Sequence, residues 1–450
     1  MPDTIAGVAT APGEGGIAIV RISGDKAAEL FSAVFRARGH TPPFPDHLLM
    51  HGEIASPDGQ TIDEAMGVVM RAPHSYTRED VCELHVHGGH AAVSVVMQLL
   101  LRHGARPSEP GEFTRRAFMN GRIDLAQAEA VMGIIGARSE AALQSQESLL
   151  SGGASRFIQD AQHELIQLIA GVEAYIDYPE EVGEDEATAS LLTGLQTLSE
   201  KLRSSADERA SRVLRWGLRV ALYGSPNTGK STLFNALLSE DRAIVTDIPG
   251  TTRDVLEGSF TLNGFEVLLM DTAGLRDSQD AVEIIGVQRA RKAVERADAA
   301  LLLIDATQAL DDAEHRLLSM KLHCPCAVLL NKEDKPPVLT VEQIAAMTGF
   351  SPVLSISAKN GTGLKQVHNF LAQFLAQPRE DMLTHQRHIA LAQQAAEKLA
   401  QAIQALQSGA QLDLVAVDLR EALWLLGRIT GESVDDKLLD EIFSSFCVGK

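Results

Sequence analysis

The octet Gly224-Ser-Pro-Asn-Thr-Gly-Lys-Ser231 narrows what this chain can fold into more than any other stretch. It follows a short apolar run, Val220-Ala-Leu-Tyr223, and opens a helical pattern, Lys230 to Leu238, so it reads as strand, loop and helix. Glycines at 224 and 229 let the backbone curl so that successive N–H groups face phosphates, and the helix N-terminus adds positive potential. Contacts with a nucleotide are expected over Asn227, Thr228, Gly229, Lys230, Ser231 and Thr232, with Lys230 reaching the terminal phosphates and Ser231 placed to hold magnesium.

The sequence that follows extends this into a guanine-nucleotide pattern. Leu256 to Met270 reads as two alternating strands joined by Asn263-Gly264, a strong hairpin signal. They lead into Asp271-Thr272-Ala273-Gly274, where an acidic residue at a strand end can hold magnesium through water and the glycine amide can sense the terminal phosphate. Apolar runs at 300–304 and 326–330 alternate with helical patterns, as a mostly parallel sheet requires. The second run ends in Asn331-Lys332-Glu-Asp334, whose aspartate can accept from both the ring N–H and the exocyclic amine of guanine. A later strand ends in Ser357-Ala358-Lys359, a loop able to close over the base. Four elements in this order, at strand ends, specify a GTPase.

How such a GTPase hydrolyses GTP is less direct. Leu275 follows the switch glycine, where Ras-like enzymes carry a water-orienting glutamine. Two features offer a replacement, Asn227 and the loop from Ile244 to Asp254. Loop carbonyls and the Asn227 side-chain oxygen can together ligate a monovalent cation against the phosphates, supplying the charge of an arginine finger, while Thr252 can complete the magnesium shell. Arg253 is the rival finger. Glu283 can orient the attacking water through a second water, and an exposed helix residue is the competing reading of it.

At 450 residues the chain is too long for one ordinary core, and about 150 residues per domain suggests three units. Residues 1–118 alternate in Ile17–Ile22, Asp63–Met70 and Val81–His87, with helical patterns at 25–36 and 89–103, giving an α+β unit. The glycines at 13–16 lead into a strand and read as a turn; His85, His87 and His90 lack the carboxylate or thiol that would complete a metal site. Residues 119–215 and 379–450 are helical in texture, with long helices at 154–177 and 190–210 and an acidic loop at 179–186. Neither half has an apolar partner within itself. The expected architecture is therefore multidomain α/β and α+β: an N-terminal α+β domain, a discontinuous all-α helical bundle, and a Ras-like P-loop G domain inserted at 216–378.

No apolar window of membrane-spanning length occurs, the N-terminus lacks the pattern of a signal peptide, and the four cysteines are irregularly spaced; a cytoplasmic protein is expected. A formal charge of -20 repels nucleic acid at long range, so contact with RNA must be local or delegated to a partner.

The stretches Gly224–Ser231, Asp247-Ile-Pro-Gly-Thr-Thr-Arg-Asp254, Asp271-Thr-Ala-Gly-Leu-Arg276 and Phe446-Cys-Val-Gly-Lys450 resemble the MnmE (TrmE) family of tRNA modification GTPases, as do Gly111–Phe118 and Asp124–Ala130. The resemblance covers the whole chain. It implies an N-terminal domain that binds a tetrahydrofolate derivative, 5-formyl- or methylene-tetrahydrofolate, and forms a homodimer. By position it implies folate contacts at Arg21, Glu83, Arg122 and Lys450, where relatives often carry lysine in place of Arg122. It further implies potassium held by Asn227, Thr246, Ile248 and Thr251, magnesium held by Ser231 and Thr252, and water positioned by Glu283. The implied reaction installs an aminomethyl or carboxymethylaminomethyl group at C5 of the wobble uridine of tRNA, with a flavin-dependent MnmG (GidA) partner. A ribosome-assembly GTPase is the alternative, but it predicts a basic RNA-binding appendage, and residues 379–450 are helical and not strongly basic. Cys447 lies in the terminal signature with no role assigned to it.

Overall fold

Period-two alternation shapes the N-terminal sheet. Along the strands β1 (Ile5–Val8), β2 (Gly15–Ser23), β3 (Phe35–Ala37), β4 (Met50–Ala55), β5 (Thr61–Met70), β6 (Val81–Gly88) and β7 (Arg106–Pro107), successive side chains take opposite faces. Val20, Ile22, Cys82, Leu84 and Val86 turn to one side and pack with Leu30, Phe31 and Val34 of the helix Ala27–Val34 and with Val96, Leu99 and Leu100 of the helix His90–Arg102. Arg21, Glu83 and His85 therefore fall on the other face. The order is β3-β4-β5-β6-β2-β1-β7, antiparallel except between β1 and β7. The helical pattern at 25–36 runs on one turn too far: Phe35 leaves the helix in an extended conformation and pairs with Ile54 as an edge strand.

The computed structural model describes residues 3–177, 184–240, 256–271, 294–377, 379 and 381–450. The chain folds into two units, Met1–Met132 with Leu149–Leu195 and Lys398–Lys450, and Gly133–Ser148 with Gln196–Glu397.

In the first unit the two helical halves find each other. The helix Gly153–Asp177 packs along Leu412–Thr430, with Gln162 donating to Glu432 at 2.9 Å and Arg420 paired to Glu173 at 2.6 Å. Leu125 and Ala128 of Leu125–Gly136 bury against Leu439, Phe443 and Phe446, the last two in and just past the helix Asp436–Ser444. Below the N-terminal sheet, Arg116 is 1% exposed and charge-compensated by Asp3, Glu79 and Glu112. Glu112 also accepts from Arg106 at 2.6 and 3.1 Å and from the Glu109 amide at 2.9 Å. Burial raises its carboxyl pKa, but these donors outweigh it and the net direction is down. The residues 446–450 run against this unit: Cys447 accepts from the Gly111 amide at 3.3 Å, Val448 bridges Pro110, and the Lys450 carbonyl accepts from the Phe113 amide at 3.2 Å. Gly449 has φ +89°, and a Cβ there would lie 1.9 Å from the Val8 carbonyl oxygen.

The second unit holds a six-stranded sheet of β8 (Leu218–Tyr223), β9 (Leu256–Leu262), β10 (Phe265–Asp271), β11 (Ala299–Asp305), β12 (Cys326–Asn331) and β13 (Val353–Ser355), in the order β13-β12-β11-β8-β10-β9. Only β9 runs antiparallel, joined to β10 by the turn Asn263-Gly264. Strands β11 and β12 are buried at every position, as a sheet covered on both faces requires. The helix Glu140–Leu150 reaches the hairpin tip, where the Ala141 amide donates to the Gly264 carbonyl at 3.0 Å. The single helix expected at 190–210 is instead two, Glu184–Ser205 and Glu208–Trp216: Asp207 breaks the pattern and caps the second by accepting from the Ala210 amide. The first begins at Glu184, so Glu184, Asp185 and Glu186 are helical, whereas the sequence reading placed them in an acidic loop.

Candidate functional site

The nucleotide loop is built by the tight turn out of β8. Gly224 sits at φ +150°, and a Cβ there would meet the Leu303 carbonyl oxygen at 2.2 Å, so only glycine lets the chain leave β8 this close to β11. Asn227 takes a left-handed φ of +61° and is exposed, as are Ser231 and Thr232; Thr228 is buried. The helix Lys230–Glu240 starts directly behind, turning its N-terminal N–H groups and positive end to the loop. Lys230 Nζ donates to the carbonyls of Gly224 and Ser225 at 2.9 and 2.8 Å, which lays the side chain back over the loop.

Asn331 ties two further motifs to this loop. Asn331, at the end of β12, donates from Nδ2 to the Thr228 carbonyl at 2.8 Å and accepts at Oδ1 from the Ala358 amide at 2.9 Å. Ser357 donates to Asp334 at 2.8 Å and thereby holds its carboxyl below the usual aspartate range, so it is ionised and able to accept at neutral pH. Lys332, at φ +72°, is ion-paired to Asp305 at the end of β11; burial raises the Asp305 pKa, but Lys332 and Thr307 outweigh it and the net shift is down. Lys359 is exposed beside this loop. The Asp305 contact and the double role of Asn331 are not visible in the sequence, because both depend on β11 and β12 ending side by side.

Thr246, Ile248, Thr251, Thr252, Thr272, Ala273, Gly274 and Glu283, with Arg253 and Leu275, lie outside the described residues; of Asp271 only the backbone is described, as the last residue of β10. The residues that remain suit a magnesium nucleotide. The Ser225 hydroxyl is buried without a hydrogen-bond partner in the turn, and the loop is walled by backbone that leaves room for glycine alone at 224.

A second cluster lies on the polar face of the N-terminal sheet. Arg21 stands opposite Glu83 across β2 and β6, and its Nε donates to Glu83 Oε1 at 2.8 Å. Its guanidinium lies 5.2 Å from the Tyr76 ring centroid and 5.6 Å from that of Phe113. Arg122 lies 4.7 Å from the same Tyr76 ring and donates to the Tyr76 carbonyl at 3.0 Å. Lys450 reaches the Phe113 amide through its own carbonyl. Two arginines far apart in sequence thus share the Tyr76 ring, Glu83 pairs with one of them, and the Lys450 backbone meets that of Phe113. Tyr76 carries no motif, and Phe113, though within the Gly111–Phe118 stretch, has no role assigned to it by sequence. The other histidines bind locally, His87 to Asp63 at 2.6 Å and His85 to Glu83 at 3.4 Å. Among the described residues no helix is long and apolar enough to cross a membrane.

Comparison with known proteins identifies the family of the chain. The model of the MnmE helical domain matches residues 125–447, and that of the GTP-binding protein TrmE N-terminus matches residues 4–122. A tRNA modification GTPase MnmE of Lactiplantibacillus plantarum is 42% identical, covering 100% of this chain and 98% of that protein. One of Geobacillus kaustophilus is 41% identical over 100% of this chain and 99% of its own length. Among solved structures, the G domain of the T. maritima FeoB iron transporter is similar over 35% of this chain and 98% of that one, at 26% identity and a TM-score of 0.27.

Proposed function

The chain belongs to the MnmE family of tRNA modification GTPases, and on that premise we propose that it is a potassium-activated GTP hydrolase that modifies C5 of the wobble uridine of certain tRNAs using a tetrahydrofolate one-carbon unit. The observation that carries the folate part is the pairing of Arg21 with Glu83 and the sharing of the Tyr76 ring by Arg21 and Arg122, with the Lys450 backbone bonded to that of Phe113. A donor-bearing heterocycle suits the Glu83 carboxylate, and an anionic tail suits a guanidinium. We place the domains at 1–118 for folate binding and homodimerisation, 119–215 and 379–450 for the helical scaffold, and 216–378 for the G domain.

In the G domain, Asp334 reads guanine, Ser357, Ala358 and Lys359 close over the base, and the loop amides with Lys230 hold the phosphates. Ser231 and Thr252 are the magnesium ligands of this reading, with Asp271 acting through water; Asn227, Thr246, Ile248 and Thr251 hold potassium. These cations supply positive charge as negative charge spreads over the transferred phosphoryl group. Glu283 orients the attacking water, and the left-handed backbone at Asn227 suits a side chain that must turn back toward the phosphates. Bound folate supplies the one-carbon unit; Arg21, Glu83, Arg122 and Lys450 bind and orient it.

An MnmG (GidA)-type flavin protein is the partner in this reading, and it supplies the basic surface for tRNA that a chain of net charge -20 lacks. The place of action is the cytoplasm. The deciding experiment is nucleoside analysis of tRNA from cells lacking the protein: loss of the modified wobble uridines is expected, and unchanged wobble uridines, with a ribosome-assembly defect instead, would overturn the modification reading. Tight, steeply salt-dependent binding of tRNA by the isolated protein would overturn delegation to the partner.

A further inference from the structure

We propose that Tyr76 is a positioning residue of the candidate folate site, holding two guanidinium groups in unlike states: Arg21 neutralised, and Arg122 free to take an anionic group of the ligand. The proposal rests on the folate reading above and adds how the site is divided.

Two cations set 5.2 and 4.7 Å from one ring centroid repel each other, so something must hold each in place. For Arg21 this is Glu83, at 2.8 Å, with the Phe113 ring as a second aromatic surface; its side chain is 15% exposed. Arg122 has neither. It is exposed, and its polar contact is with the Tyr76 carbonyl; among the described residues no carboxylate lies within ion-pair distance of it. What the two share is the Tyr76 ring, whose negative face attracts each guanidinium. The ring is itself fixed, because its hydroxyl is hydrogen-bonded at 2.9 Å to that of Thr114, which is fully buried on the helix Glu112–Met119.

The consequence is a site with two chemically different ends. The Arg21–Glu83 pair offers a carboxylate whose charge is already matched, suited to uncharged N–H donors such as those of a reduced pterin. Arg122 offers a planar fork without a carboxylate, suited to the glutamate tail of a folate. Tyr76 sets the distance between them.

Binding of 5-formyltetrahydrofolate to the full chain, measured by calorimetry across a series of salt concentrations, tests this. Tyr76→Leu is expected to weaken binding about tenfold, and Tyr76→Phe by no more than about threefold, because the ring is what holds the cations. Arg122→Gln is expected to weaken binding about tenfold and to flatten its salt dependence, because the contact it removes is ionic. Denaturant unfolding of each variant reads any loss of fold separately, and Tyr76→Phe, which loses the Thr114 contact but keeps the ring, separates positioning of the cations from folding. Parent-like binding by Tyr76→Leu, or a parent-like salt slope in Arg122→Gln, would overturn the proposal while leaving folate binding intact. Absence of folate binding by the parent chain would instead overturn the folate reading on which the proposal stands.

Discussion

The side-chain amide of Asn331 donates to the Thr228 carbonyl at 2.8 Å, so the strand end that carries guanine recognition is tied directly to the phosphate loop. The same side chain accepts from Ala358, and base and phosphate recognition therefore share one buried pivot, 3% exposed. Asn331→Ala removes both bonds and leaves the Ala358 amide without its acceptor. Each buried loss costs about 1–3 kcal/mol, so GDP affinity should fall roughly 30-fold or more, as read by fluorescent nucleotide titration, with all guanine nucleotides affected alike.

Gly224→Ala tests the turn out of β8. With the Leu303 carbonyl oxygen 2.2 Å from the new methyl, either β8 or β11 must shift. Denaturant unfolding should show a loss of about 2–4 kcal/mol, larger than for an alanine placed at an exposed glycine such as Gly349, where nothing lies within 4 Å.

Glu112 makes the first unit acid-sensitive. Its carboxyl titrates in the folded chain below the ordinary 4.5, so its stabilisation is complete above that value and disappears as pH falls through the lower folded one. Glu112→Gln should cost about 2–4 kcal/mol at pH 7, because Arg116 is left buried with less compensation. The gap between variant and parent should narrow below pH 4.5 in denaturant titrations, and an unchanged gap would assign the loss to packing.

Turnover of GTP is expected to be faster in potassium than in sodium, with Asn227→Ala weakening that preference while leaving GDP affinity within about threefold of the parent. Equal steady-state rates in the two salts would remove the cation from the mechanism.

The G domain was legible because each of its motifs sits at a strand end and declares its own geometry: the glycines of 224–229, the turn at Asn263-Gly264, and the Asn331 and Ser357 loops. The break at Asp207 went unread: an N-cap residue does stand before Glu208, but the apolar stripe on either side hid it. The cluster of the proposed folate site was not open to spacing arguments. Arg21 and Glu83 are 62 residues apart and meet through the β2–β6 register, while Tyr76 lies between strands in a segment without periodicity. Resemblance named three of its charged residues and Lys450; the aromatic rings that place them emerge only when the chain is folded.

The contact of Val448 with Pro110, and of Gly449 with the Val8 carbonyl, has a meaning for how the protein is made. A ribosome delivers the N-terminal sheet long before it delivers residues 446–450, so the strands can pair before the Gly111 and Phe113 amides have their acceptors in Cys447 and Lys450. A chain halted ahead of residue 446 has the sheet without those contacts.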